Sequence, residues 1–133
     1  MKRLAYLLLS CATLVATSCS KDDTATPNNI QPKDYKVEYR VSSTTNAEAD
    51  YISYTNATGG TSDLRNVPLP ASYSFTRNMK IGDSSLLLAS IPSTGSTAAS
   101  NITVSILLDG KEVKKETGTG VGAQAVPVWV IGQ

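Results

Sequence analysis

The chain has 133 residues, room for one domain and a leader but not for a multidomain enzyme. Charged residues make up 17% of it, and 12 Lys and Arg against 11 Asp and Glu leave a formal charge of +1, a balance that points to no nucleic acid and to no strongly acidic partner. It has no histidine, which removes the commonest general base and metal ligand.

Met1, Lys2 and Arg3 form a short basic start, and residues 4–15 are an apolar run broken by Ser10, Cys11 and Thr13. A membrane span needs about 20 apolar residues, so this pattern is a secretory signal sooner than a transmembrane helix. The run ends in Ala16-Thr17-Ser18-Cys19, small residues leading into a cysteine, which resembles the lipobox of bacterial lipoproteins. The resemblance implies that residues 1–18 are a lipoprotein signal peptide and that Cys19 is the lipid attachment site and first residue of the mature chain. Leu8-Leu9-Ser10-Cys11 fits the same short pattern but leaves only residues 4–10 as hydrophobic region, and an ordinary signal peptide with two incidental cysteines is the plainer alternative. With Cys19 acylated, the mature chain has no free thiol for a disulfide, a zinc site or nucleophilic catalysis.

Ser20, Lys21, Asp22 and Asp23 follow directly, and an acidic cluster at this place resembles the export tag that sends lipoproteins of some Gram-negative bacteria to the cell surface. The implied location is the outer membrane, lipid-anchored and surface-exposed, with the periplasmic face as the alternative. Residues 20–34 are polar, carry Pro27 and Pro32 and have no periodic apolar face, so residues 19–34 are expected to be the acylated cysteine and a flexible tether. Such a tether extends to about 50 Å and averages nearer 20 Å as a coil.

Residues 35–133 carry the folding information. Tyr35, Val37, Tyr39 and Val41 alternate with Lys36, Glu38 and Arg40, the period of a half-buried strand. Ile52 and Tyr54 share one face of a second strand that runs into Ala57-Thr58-Gly59-Gly60, a turn. Val67-Pro68-Leu69-Pro70 fits only an edge or a crossover, because neither proline donates to a ladder. Tyr73 and Phe75 alternate with Ser72, Ser74 and Thr76, and residues 85–91 are apolar on both faces, as in a central strand.

Ile102, Val104, Ile106 and Leu108 line one face and lead into Asp109-Gly110, a two-residue hairpin turn. The return arm holds Val113 among Lys111, Glu112, Lys114, Lys115 and Glu116, the composition of a protected edge. Residues 123–131 set Val126, Val128 and Val130 against Trp129 and Ile131, with Pro127 marking an edge or a break. No segment of the mature chain holds a helical period. The expected fold is all-β, an immunoglobulin-like two-sheet sandwich of about seven strands.

The succession Val37-x-Tyr39-x-Val41, Ile52-x-Tyr54-x-Asn56 with Gly59-Gly60, Leu69-Pro70, and Ile102-x-Val104-x-Ile106 with Asp109-Gly110-Lys111 resembles the MmpS family of small mycobacterial envelope proteins. The resemblance implies a β-sandwich in the cell envelope and, faintly, an accessory role beside a lipid-exporting transporter. It has departures: Ala71 stands where the family usually has Trp after Leu-Pro, Val104 and Val126 stand where it has bridging cysteines, and a lipid on Cys19 replaces a transmembrane anchor.

Catalytic patterns are lacking. Residues 35–133 hold no G-x-S-x-G and no S-x-x-K, and Gly118-Thr119-Gly120-Val121-Gly122 is followed by neither Lys nor a helix. Glu48 and Asp50 are too few oxygen ligands for calcium. The expectation is a protein that is not an enzyme and has no cofactor and no metal. Its partners are the membrane through the lipid anchor and an envelope protein, lipid or glycan. The main reading is an accessory or binding module; the other is a surface adhesion or glycan-binding module that uses Tyr51, Tyr73 or Trp129 as a stacking platform where one faces outward.

Overall fold

The computed structural model describes residues 31–133, so Cys11, Cys19 and the Ser20-Lys21-Asp22-Asp23 tag lie outside the described residues. These residues form strands β1 (Lys33–Ser42), β2 (Glu48–Thr55), β3 (Thr61–Pro68), β4 (Ala71–Met79), β5 (Ser84–Ser90), β6 (Asn101–Leu108), β7 (Lys111–Thr119), β8 (Gln124–Ala125) and β9 (Val128–Val130). They make two antiparallel sheets packed as a sandwich. One has four strands in the order β4-β1-β6-β7; the other has five, in the order β3-β2-β5-β8 with β9 also on β5.

Alternation decides which side chains meet between the sheets. Val37, Tyr39 and Val41 of β1, Ile102, Val104, Ile106 and Leu108 of β6, and Leu87 and Ala89 of β5 all point inward and are buried. The expected turns are present: Asp109 and Gly110 both have positive φ, 51° and 81°, and join β6 to β7 directly. The β7 strand is an edge, as its charges require.

The strand count is higher than the sequence implied, for two reasons. Residues 61–66, Thr-Ser-Asp-Leu-Arg-Asn, have one apolar side chain and no alternation, yet they pair along β2 because the Asn56–Gly60 turn returns them to it. Val67-Pro68 is therefore the end of an edge strand as well as the start of the crossover to β4. The last segment breaks at Pro127 into β8 and β9, both paired with β5. The first strand also begins before the expected boundary at Tyr35. Lys33 and Asp34 already pair with Met79 and Asn78, held by a Lys33–Asp109 ion pair of 3.0 Å and an Asn78 Nδ2 to Asp34 Oδ1 bond of 2.6 Å.

On β3 and β2 the alternation shifts by one residue. Leu64 and Ile52 are paired and face the core, and so are Val67 and Ala49, although three residues separate each couple along its strand. Asn66 sits between, with φ of 52°, and supplies the extra half-twist that swaps the faces.

Both ends of the sandwich are defined by loops. Lys33 enters beside Met79 and the Asp109-Gly110 turn, and the Gly82 N–H donates to the Ile131 carbonyl at that same end. The opposite end is tied by Asn101, whose carbonyl accepts from Ser43 Oγ at 2.6 Å while its side chain bonds Thr44.

Candidate functional site

The outer surfaces of the two sheets differ in chemistry. The four-stranded sheet presents Lys36, Glu38 and Arg40 from β1 and Ser72, Ser74, Thr76 and Asn78 from β4, all of them charged, hydroxyl-bearing or amide side chains. On the five-stranded sheet, β5 turns Ser85, Leu87 and Ala89 inward, which leaves Leu86, Leu88 and Ser90 on the outside. Leu86 pairs with Val128, 42% exposed, and Ser84 with Val130, so the valines that alternate with Trp129 extend the same apolar outer surface.

Tyr51 stands on this surface, across from Arg65 on β3 and Ser90 on β5. Its hydroxyl donates to Asp63 Oδ1 at 2.6 Å, and the Arg65 guanidinium lies over its ring at 5.0 Å from the centroid. The hydroxyls of Ser53 and Tyr51, with the nearby Arg65 charge, hold the Asp63 carboxyl below the usual carboxylate range despite some desolvation. The ring is thus fixed in place by its neighbours, with an acceptor at its hydroxyl and a cation over one face. The arrangement combines an aromatic face, a carboxylate, a guanidinium and the Ser90 hydroxyl, flanked by leucines. It can bind by stacking and hydrogen bonding.

Of the three aromatic residues singled out in the sequence, only Tyr51 faces away from the core. Tyr73 is on β4 of the other sheet, half-buried, with its ring stacked on Tyr54 at 4.8 Å. Burial and the Tyr54 neighbour push its phenol up. Trp129 is opposite Ser85 and packs against the core, because β9 places its two valines outward. The structure therefore does not gather the three into one platform. Asp63 and Arg65 escaped the sequence reading because their strand carries no alternating pattern. A usable signal was present in the hairpin turn at Asn56–Gly60, which puts Asp63 and Arg65 opposite Ser53 and Tyr51 by counting outward.

Glu48 and Asp50 sit at the start of β2, and no group of three or more metal-ligating side chains occurs among the described residues. No described helix is long and apolar enough to cross a membrane. The chain matches no known family model, and no curated protein matches it.

Proposed function

We propose that this is a non-catalytic, lipid-anchored envelope protein whose sandwich is a binding module working through the outer face of the five-stranded sheet. The carrying observation is the contrast between the two exteriors: on one sheet β1 and β4 present charged, hydroxyl and amide side chains, while the other turns Tyr51, Leu86, Leu88 and Val130 outward, half-buried, beside the exposed Val128. Apolar side chains grouped on one face of a sheet are the usual mark of an interaction surface. The signal and lipobox-like residues through Cys19 support the anchor, and the acidic tag at Ser20–Asp23 supports display at the outer membrane. The MmpS resemblance supports an accessory role next to a lipid or a transporter partner.

A second reading is favoured by Tyr51 itself. Tyr51, Asp63 and Arg65 group an aromatic ring, a carboxylate and a guanidinium on the outer surface of the sheet, groups that a sugar's hydroxyls and C–H face can meet; this is the adhesion or glycan-binding module. In either reading one experiment with two arms is informative. Palmitate labelling in cells should be abolished by Cys19→Ala and kept by Tyr51→Ala, whereas capture of the envelope partner by in-cell crosslinking should fall in Tyr51→Ala. Labelling that survives Cys19→Ala moves the anchor to Cys11 or ends the lipoprotein reading; undiminished capture by Tyr51→Ala removes this face as the binding surface.

A further inference from the structure

A sandwich has four sheet edges, and an unpaired edge invites another strand unless something obstructs it. Three edges here are obstructed. The β7 edge carries Lys111, Glu112, Lys114, Lys115 and Glu116, shows a register shift opposite Ile106 and Leu107, and is met by β8, where the Val126 N–H donates to Glu116 Oε1 at 3.3 Å. The β3 edge has the charges Asp63 and Arg65, the positive φ of Asn66 and a proline at its end. At the other edge of the five-stranded sheet, β8 and β9 are two and three residues long and are separated by Pro127.

The β4 edge lacks the bulge, positive φ, proline and outward charges of the others, and its guard is one inward-pointing charge, Arg77. It runs for nine residues, contains neither glycine nor proline, and pairs with β1 from Lys33↔Met79 to Val41↔Ala71 without a shift. Among the described residues β1 is its sole neighbour in the sheet. Its outward side chains, Ser72, Ser74, Thr76 and Asn78, are neutral and exposed. Its one charge, Arg77, is turned inward and donates to the Ser84 carbonyl at 2.7 Å.

We propose that β4 pairs antiparallel with β4 of a second copy of this chain, about a two-fold axis at Phe75, joining the two four-stranded sheets into one. The midpoint of Ala71–Met79 is Phe75, so the register with full overlap is also the symmetric one. Every opposed pair in that register is chemically matched. Phe75 meets Phe75 at the axis, and Tyr73 of each copy lies opposite Arg77 of the other on the inner side, a tyrosine ring beside a guanidinium. On the outer side Ser74 lies opposite Thr76 and Ser72 opposite Asn78, pairs that exchange hydrogen bonds across strands. The two Arg77 side chains are then about 14 Å apart along the strands, too far to repel strongly. A strand of unrelated sequence satisfies the backbone equally well but lacks this match.

The test is the mass of the full chain in detergent by sedimentation equilibrium. The parent is expected to be a dimer at about 0.1 mM protein. S74K/T76K sets two lysines face to face on both sides of the axis and should raise the dimer dissociation constant at least tenfold, while S74K/T76E sets lysine against glutamate and should keep the dimer. All four sites point to solvent in the monomer, and S72K/N78K against S72K/N78E repeats the contrast one level further out if the first variant fails to fold. A monomeric parent at that concentration, or equal masses for the two kinds of double variant, overturns the pairing.

Discussion

Tyr39 shows what one side chain contributes when its two ends have opposite needs. The ring is fully buried, 5.5 Å from Tyr54 and 5.7 Å from Phe75 between centroids, and the hydroxyl donates to the Thr55 carbonyl at 3.0 Å. Burial pushes the phenol above its ordinary value of 10.0, and the Ser85 hydroxyl, the Arg77 charge and the Thr55 side chain offset part of the rise. Because the folded state holds this proton more tightly, the stabilisation is fully present below pH 10.0 and is lost as the pH climbs from there through the folded value. Tyr39→Phe should cost about 0.5–1.5 kcal/mol at neutral pH through the missing hydrogen bond. Its deficit in urea unfolding should shrink as the pH rises above 10.0, and a deficit constant across that range would show that the phenol is not the group titrating. Asp63 and Asp109 act in the other direction: their carboxyls are held low, Asp63 by hydroxyls and Asp109 by the Lys36 N–H and the Lys33 ammonium, so their contribution is lost as the pH falls below 3.8. The legibility of such residues in the sequence was uneven. Tyr39 was evident as a core position from its place between Val37 and Val41, whereas the value of Tyr51 rests on Asp63 and Arg65, which only strand pairing reveals.

At the scale of the strand, glycines mark the places where backbone geometry takes precedence over side-chain packing. Gly110 completes the β6–β7 turn with φ of 81° and open space around it, so Gly110→Ala should cost only the left-handed penalty of about 1–2 kcal/mol. Gly118 has ordinary dihedrals but lies against the β8 backbone, where an added Cβ would overlap the Gln124 carbonyl. Gly118→Ala should therefore cost about 3 kcal/mol or more, since backbone cannot yield as a side chain does. Urea midpoints order the two variants, and the reverse order would mean that β7 and β8 do not touch. The strands that were legible, β1, β2, β4, β5, β6 and β7, carry an alternating or continuous apolar pattern or, for β7, follow a hairpin turn with the charges of an edge. The β3 strand was not, because its stability comes from the hairpin and from β2, and β8–β9 were not separable because an apolar run with one proline fits both a bent strand and a broken one. Gly118 likewise gave no signal in the sequence, where it is one glycine in a glycine-rich stretch; contact with β8 is what makes it special.

Across the whole molecule, the layers follow from a simple division. Inward residues of both sheets form one core, and each exterior has its own chemistry, so the sandwich has a polar side and an apolar side. The polarity of the faces of β1, β4 and β6 was readable in advance; which exterior would gather Tyr51 with Leu86 and Leu88 was not, because that depends on the order β3-β2-β5 and on no local pattern. Placement of β1 has a mechanical consequence. The first described strand, β1, is interior to its sheet, matched to β4 from Lys33 to Val41 on one flank and to β6 from Val37 to Ser42 on the other. A pull on the residues before Lys33, resisted at the far loops around Asn101, runs along β1 and loads both ladders in shear. Their bonds must then give way together instead of peeling one after another, so in the proposed lipid-anchored form drag on the domain loads two ladders at once.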